Sequence, residues 1–236
     1  MAGASTIEGP RAADGLQAGD PLADAEGAAT WIDVCVCTWH RRGGLRRLLA
    51  ALAEQQGAPR FRVLVADNHA EPVEADTVAA FAAYSRLDLH YLHAPADNIA
   101  IARNACLDAA RAPLLAFIDD DEVPAPDWLA ALAREQRERG ADALIGPVRA
   151  VYPAGTPAWL VDGAFHAKWP NADPAGRCRN AYTANALVVR ARTGGLRFDP
   201  DFGSSGGEDT LWFARLRGAG LNVLACASAT VEEAVD

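Results

Sequence analysis

Three consecutive aspartates, Asp119, Asp120 and Asp121, stand at the end of an apolar run, Leu114-Leu115-Ala116-Phe117-Ile118. A run of that length bounded by polar residues reads as a buried strand. Carboxylates at the carboxyl end of such a strand stand where open α/β sheets place their ligands. Adjacent acids repel: two unit charges ~4 Å apart cost roughly 4 kcal/mol at an effective dielectric of ~20. A divalent cation offsets that cost. Mg²⁺ and Mn²⁺ take carboxylate oxygens and commonly bridge to substrate phosphates. A solvated acidic turn is the competing reading of the triplet alone. A second acidic pair, Glu208-Asp209, follows the glycine-rich stretch 203–207. A carboxylate there can take a proton from a hydroxyl as a general base, or simply occupy the positive end of a helix.

The elements that must position these groups alternate. Strands are expected at 32–38, 61–66, 87–92, 114–118 and 143–151, and helices at 44–56, 72–84, 98–111 and 126–139. Leu45, Leu48, Leu49 and Leu52 recur at helical spacing, Pro72 suits the first turn of its helix, Asn98 suits an N-cap, and Pro126 with Asp127 suits a helix start. A βαβαβαβ order implies an α/β fold with a mostly parallel sheet covered on both faces. The pattern breaks at 152–180, a long loop or small excursion rich in Pro, Gly, Trp and charge; loops this long are usually functional or mobile. A further strand is expected at 181–189, a flexible segment at 203–207, a helix at 208–217 closed by Gly218 and Gly220, and a short strand at 221–225. The ending, 231–236, offers no closing element and leaves open that the natural chain extends further. Residues 1–30, nearly devoid of large apolar side chains, are expected to form a flexible tail, so that 31–236 forms a single catalytic domain.

Composition excludes several functions. The 236 residues carry a net charge of −9, a poor footprint for nucleic acid, which calls for a basic surface. No apolar run approaches the ~20 residues of a membrane span, and no signal-peptide pattern opens the chain. Of the five cysteines, Cys35, Cys37, Cys106 and Cys226 lie in apolar or Ala-rich surroundings and read as reduced core residues of a cytoplasmic protein, whereas Cys178 reads as exposed. No Cys-x-x-Cys or His pair completes a zinc site beside Cys35-x-Cys37. Neither a Gly-x-Gly-x-x-Gly nor a phosphate-binding Gly-Lys-Ser/Thr follows the first strand.

Five blocks occur in order: Val34-Cys35-Val36-Cys37-Thr38 followed by Arg41, Ala66-Asp67-Asn68, Asn98 to Arg103-Asn104, Phe117 to Pro124, and Gly206-Gly207-Glu208-Asp209-Thr210. Together they resemble the family-2 inverting glycosyltransferases with a GT-A fold, over residues 31 to about 230. The Gly-Glu-Asp-Thr form most resembles bacterial exopolysaccharide enzymes of the succinoglycan glucosyltransferase type. The resemblance implies a nucleotide-binding half, 31–123, an acceptor-side half, 124–236, and a nucleotide-diphosphate sugar as donor, a UDP-sugar by expectation. It implies that Thr38 and Arg41 sit near the nucleotide, that Asp67 contacts uracil, and that Asp119 and Asp120 face the donor. Asp121, with Asp119, is implied to hold Mn²⁺ or Mg²⁺. Asp209 is implied as the base, with Glu208 beside it. Arg103 suits a phosphate, its planar fork matching oxyanions, or a helix surface. Trp169 and Asn185 are assigned to a saccharide or lipid-linked acceptor; an apolar loop anchor and a hydrogen-bonded core Asn are the alternatives. Peripheral association with the inner membrane face and the oligomeric state stay open.

Two rivals remain at this level. A sugar-phosphate nucleotidyltransferase would share an acidic metal site in an α/β core, but gives Glu208-Asp209 no role. A non-catalytic nucleotide- or sugar-binding protein of the same fold would not need either acidic motif intact.

Overall fold

The computed structural model describes residues 31–235; the tail expected at 1–30 lies outside the described residues. Strand β1 (Ile32–Thr38) carries apolar side chains on both faces, as a strand buried on both sides must. Ile32, Val34 and Val36 pack into one hydrophobic layer, Cys35 into the other. Helix α1 (Arg42–Ala53) buries Leu45, Leu48, Leu49 and Leu52. Strand β2 (Phe61–Asp67), helix α2 (Ala75–Tyr84), strand β3 (Leu89–His93), helix α3 (Ile99–Ala109) and strand β4 (Leu114–Asp119) continue the alternation. Asn98 caps α3 as expected, its side chain accepting the Ile101 amide at 3.3 Å.

After β4 come β5 (Glu122–Pro124), α4 (Trp128–Arg139), β6 (Ala143–Ile145), β7 (Val148–Val151), α5 (Ala158–Gly163), β8 (Asn185–Val189), α6 (Glu208–Gly218), β9 (Val223–Ala225) and β10 (Val231–Ala234). The main sheet has seven strands in the order β3-β2-β1-β4-β8-β6-β9. Its pairings are parallel except where β8 runs against β4 and β6. The architecture is therefore the expected α/β sheet covered on both faces.

Four expectations are corrected. The strand expected at 143–151 is two strands in two sheets: Pro147, lacking an N–H, cannot extend the ladder, and β7 crosses to a three-stranded sheet, β5-β10-β7. The ending expected to lack an element forms β10, antiparallel to β5 and parallel to β7. The strand expected from 181 starts only at Asn185. Cys178, expected exposed, is 6% exposed, its amide donating to Val223 O at 2.9 Å.

Register fixes where the chemistry falls. Thr38 lies opposite Asp67, and Cys37 opposite Asp119, so β1, β2 and β4 end together. At the other end of β1, buried Asp33 faces Arg62 across the β1–β2 pair. It accepts Arg62 Nε at 2.5 Å and Nη2 at 3.1 Å, and the amides of Arg111 at 2.6 Å and Ala112 at 2.8 Å. Burial raises the Asp33 carboxyl, but Arg62 and the two amides outweigh it and leave the group below its usual range. Arg62→Met is expected to cost about 3 kcal/mol of stability at neutral pH, because it strands a buried carboxylate. A group with a lowered folded-state pKa contributes fully above its unfolded pKa and loses that contribution as pH falls through the folded value. Urea titrations should therefore show the largest difference near pH 7, shrinking in acid. A pH-independent loss below ~1 kcal/mol would reduce the pair to the rank of a surface bridge.

Candidate active site

The Asp triplet forms the turn between β4 and β5, and its three carboxylates separate. Asp120 points inward and is 4% exposed. It accepts the Thr38 hydroxyl at 2.7 Å and Arg41 Nη1 at 3.4 Å. Burial pushes its carboxyl up to about 6; Thr38 and Arg41 pull the other way, and Asp121 and Asp119 add to the rise. Asp119 and Asp121 stay partly open, with side chains 34% and 29% exposed. Asp121 pairs closely with Arg41, the N-cap residue of α1. That helix start can approach because residue 44 is glycine: a Cβ there would stand 2.7 Å from Asp120 O. Asp120, expected against the donor, is thus taken up by Thr38 and Arg41.

Arg103 resolves its two readings differently from either. It is 5% exposed, so it is no surface charge. Its guanidinium pairs closely with Glu208 and lies 3.6 Å from Asp119. It also sits 5.7 Å from the centre of the Phe198 ring. Burial disfavours the Arg103 charge, but Asp119 and Glu208, with Asp209, more than restore it. One cation therefore joins the two acidic motifs that the sequence shows far apart.

Glu208 and Asp209 open α6, behind Gly207, whose φ of +94° needs a residue without a Cβ. Glu208 is 4% exposed, and its Oε2 has no hydrogen-bond partner among the described residues. Asp209 is less buried. Its Oδ2 accepts the Thr183 amide at 3.2 Å, and its Oδ1 accepts the Thr210 amide at 2.6 Å. Those bonds fix the carboxylate's direction while leaving lone pairs free.

Three further assignments fare unequally. Asp67 ends β2 as expected, but it is fully buried and its carboxylate accepts His69 N–H at 3.1 Å, Glu74 N–H at 2.9 Å and the Tyr91 hydroxyl at 2.8 Å. Asn185 is reassigned to the core. It is fully buried, donating to Pro147 O and Ala229 O and accepting Trp128 Nε1–H at 2.9 Å, so it has no group turned toward a ligand. Trp169 is 56% exposed, in the excursion after α5.

Sequence reasoning missed Glu122, a fourth acid directly after the triplet, buried with its Oε2 accepting the Asp119 amide at 2.9 Å. It also missed the rings beyond the carboxyl ends of β1 and β2: Trp39, half exposed, lies 6.0 Å from His69, which stacks on His40 at 5.5 Å. A cavity of ≈ 120 Å³ lined by Cys37, Thr38, Trp39, Arg41, Asn68 and Asp120 opens there. A larger hollow of ≈ 580 Å³ lies by the Arg190–Arg197 segment, at the opposite strand ends, and contains none of these acids. Among the described residues, no three His, Cys, Asp or Glu side chains converge on one metal position. A two-carboxylate turn still fits Mg²⁺ or Mn²⁺, which are held by one or two carboxylates with phosphates and water supplying the rest.

A family model described as glycosyl transferase family 2 matches residues 33–201. The chain belongs to that family. This family 2 glycosyltransferase is 42% identical over 208 residues to the succinoglycan biosynthesis protein ExoM of Rhizobium meliloti (strain 1021), covering 86% of this chain and 67% of that protein. Over 110 residues it is 30% identical to validoxylamine A glucosyltransferase of Streptomyces hygroscopicus subsp. limoneus, covering 46% of this chain and 24% of that one. The crystal structure of S. aureus TarS 1-349 in complex with UDP matches with a TM-score of 0.69 at 18% identity, over 88% of this chain and 61% of the TarS chain. Its complex with UDP-GlcNAc gives 0.68 at 17%, over 88% and 59%. The chain thus spans less than two thirds of those TarS chains, and the likeness establishes the GT-A fold. Among the described residues no helix is long and apolar enough to cross a membrane.

The Arg103 bridge makes a stability prediction. Arg103→Met strands Glu208 and is expected to cost about 3 kcal/mol, and adding Glu208→Gln should return part of the loss, a coupling of about 1–3 kcal/mol in a double-mutant cycle read by denaturant unfolding. Strictly additive losses would show that the two side chains do not depend on each other.

Proposed function

We propose that this family 2 glycosyltransferase moves a hexose from a UDP-sugar to a hydroxyl of a saccharide acceptor, in one metal-dependent displacement that inverts the anomeric carbon. The observation that carries the reading is the Arg103 bridge, which holds the Asp119 turn and the Glu208-Asp209 helix start together at the carboxyl end of central strand β4. Such a site has a place for an anionic leaving group on one side and a base on the other. The neighbours support the donor class: TarS crystallises with UDP and with UDP-GlcNAc, and a relative is named as a glucosyltransferase. The ExoM relative is named as a succinoglycan biosynthesis protein, which supports a growing exopolysaccharide as acceptor, with the exposed Trp159, Phe165 and Trp169 of the excursion as faces for its sugar rings. If that acceptor is carried on a lipid, the enzyme would work at a membrane surface.

Each residue then has a task. Asp119 and Asp121 would hold Mn²⁺ or Mg²⁺, which when bound offsets the diphosphate charge and stabilises the departing nucleoside diphosphate. Thr38 and Arg41 fix Asp120 and so the shape of that turn. Asp67 shapes the nucleobase end through the turn it ties between β2 and α2. Asp209 accepts the proton of the acceptor hydroxyl as its oxygen bonds to the anomeric carbon and the bond to the diphosphate breaks. Its position beside the amide of Thr183 orients the carboxylate for that transfer. Glu208, locked to Arg103, holds α6 in place.

Two measurements test this. Calorimetric titration of UDP is expected to show binding with Mn²⁺ that weakens sharply with EDTA and in Asp121→Ala; metal-independent binding removes the cation assignment, and no binding at all removes the donor assignment. Asp209→Asn is expected to keep UDP affinity while sugar transfer from UDP-glucose to water or saccharide falls ~10²–10⁴-fold, the usual contribution of a general base. Unchanged turnover in that variant excludes Asp209 as the base.

A further inference from the structure

Glu122 is fully buried and holds the Asp119 amide with Oε2, while its other oxygen, Oε1, has no hydrogen-bond partner among the described residues. A buried carboxylate oxygen left without a donor is costly. The group facing it is Lys168 Nζ, 4.0 Å away. Lys168 comes from the excursion between β7 and β8, and its place there is built. Its amide and carbonyl both bond Val148 of β7, at 2.9 Å and 2.8 Å. Its ammonium donates at 2.7 Å to Glu233 of β10, the residue that pairs with Glu122 in the small sheet. The Tyr182 hydroxyl lies 3.1 Å from Lys168 O and 2.9 Å from Gly146 O, and the next residue, Thr183, gives its amide to Asp209.

We infer that Glu122 and Lys168 are positioning residues for Asp119: Lys168, braced by Glu233, holds the Glu122 carboxylate, and Glu122 holds the backbone of Asp119 in the orientation the donor's cation needs. The support rests on the reading of Asp119 and Asp121 as cation ligands. It has a consequence for the whole site. The excursion that carries Trp169 and leads into Thr183 also braces the donor turn, so the acceptor side and the donor side share one ion-paired clasp. Groups that orient a metal's ligands typically matter 10- to 100-fold in metal affinity without touching the metal.

The test titrates UDP in the presence of Mn²⁺ and of EDTA into the full chain, as wild type, Lys168→Met, Lys168→Arg and Glu233→Gln. In Lys168→Met the Mn²⁺-dependent affinity is expected to fall about tenfold, with the EDTA value and the far-UV circular dichroism unchanged. Lys168→Arg, which keeps the cation, should retain most of the affinity, and Glu233→Gln should show a smaller loss of the same kind. A general packing defect would instead lower both affinities together. Mn²⁺-dependent affinity within about twofold of wild type in folded Lys168→Met and Glu233→Gln overturns the inference alone. Should Lys168→Met not fold, Glu233→Gln decides, since it alters a partly exposed side chain. Wild-type protein that binds UDP equally with Mn²⁺ and EDTA overturns the cation reading, and this support with it.

Discussion

A guanidinium buried between two carboxylates sets the terms for this site. Arg103 has almost no contact with solvent, and a charge so placed is tolerable only when fully paired. Its partners come from remote segments: Asp119 from the end of β4, and Glu208 from the start of α6. The first arrives through the parallel register of β1 and β4. The second arrives because the 198–207 segment is pinned along α3. Asn104 exchanges two hydrogen bonds with the backbone of Phe198, both 2.9 Å, and Ile99 N–H bonds Gly203 O at 3.2 Å. Phe198 stacks on Trp212 at 4.6 Å, which anchors α6 from below. A bridge of this kind contributes little net stability, since desolvating both charges offsets their attraction. What it enforces is geometry: helix α6 out of place would leave Arg103 or Glu208 unpaired.

The same logic separates the three aspartates. Their common sequence context would make them equivalent, yet neighbours on β1 and α1 make them different. Thr38 and Arg41 take Asp120 into the interior, and the turn that results leaves the residues on either side partly open. A three-acid run thus becomes two outward carboxylates on an inward pivot. The pivot is what a tandem of like charges needs, because it removes one of them from direct competition for the same space.

Legibility in the sequence followed whether a residue's fate is decided locally. Strands β1, β2 and β4 were readable because apolar side chains stand on both faces, and the Asn98 cap was readable because its bond reaches only three residues on. The triplet and the Glu208-Asp209 pair were readable as chemistry. Polar residues whose partners lie far along the chain were not. Asn185 looks like a ligand group until Trp128, Pro147 and Ala229 are seen to consume it. Asp67 looks available until the hydroxyl of Tyr91, from β3, covers it. Strand β10 has the pattern Val-Glu-Glu-Ala and a single fully buried residue, Val231. Its pairing is decided by β5 and β7, not by its own composition. Glu122 could have been suspected, since a fourth acid after three is hard to keep solvated when an apolar strand end precedes it and a proline follows.

Charge balance is the physical argument for the cation proposed at this site. Asp119, Asp120, Asp121, Glu122, Glu208 and Asp209 converge on a region whose cations are Arg41, Arg103 and Lys168. Arg103 is committed to Glu208 and Asp119, and Lys168 to Glu233 and Glu122, which leaves Arg41 as the most exposed of the three. A nucleoside diphosphate approaching this edge meets acids that outnumber the free positive charge. Arg41 alone cannot offset both the turn and the diphosphate, and at close range in a shielded cleft the mismatch costs several kcal/mol. The cation proposed here, which Asp119 and Asp121 would hold, would supply the positive charge that Arg41 alone lacks. With it, the acidity that on its own would repel a diphosphate would instead favour the substrate and the cation binding together.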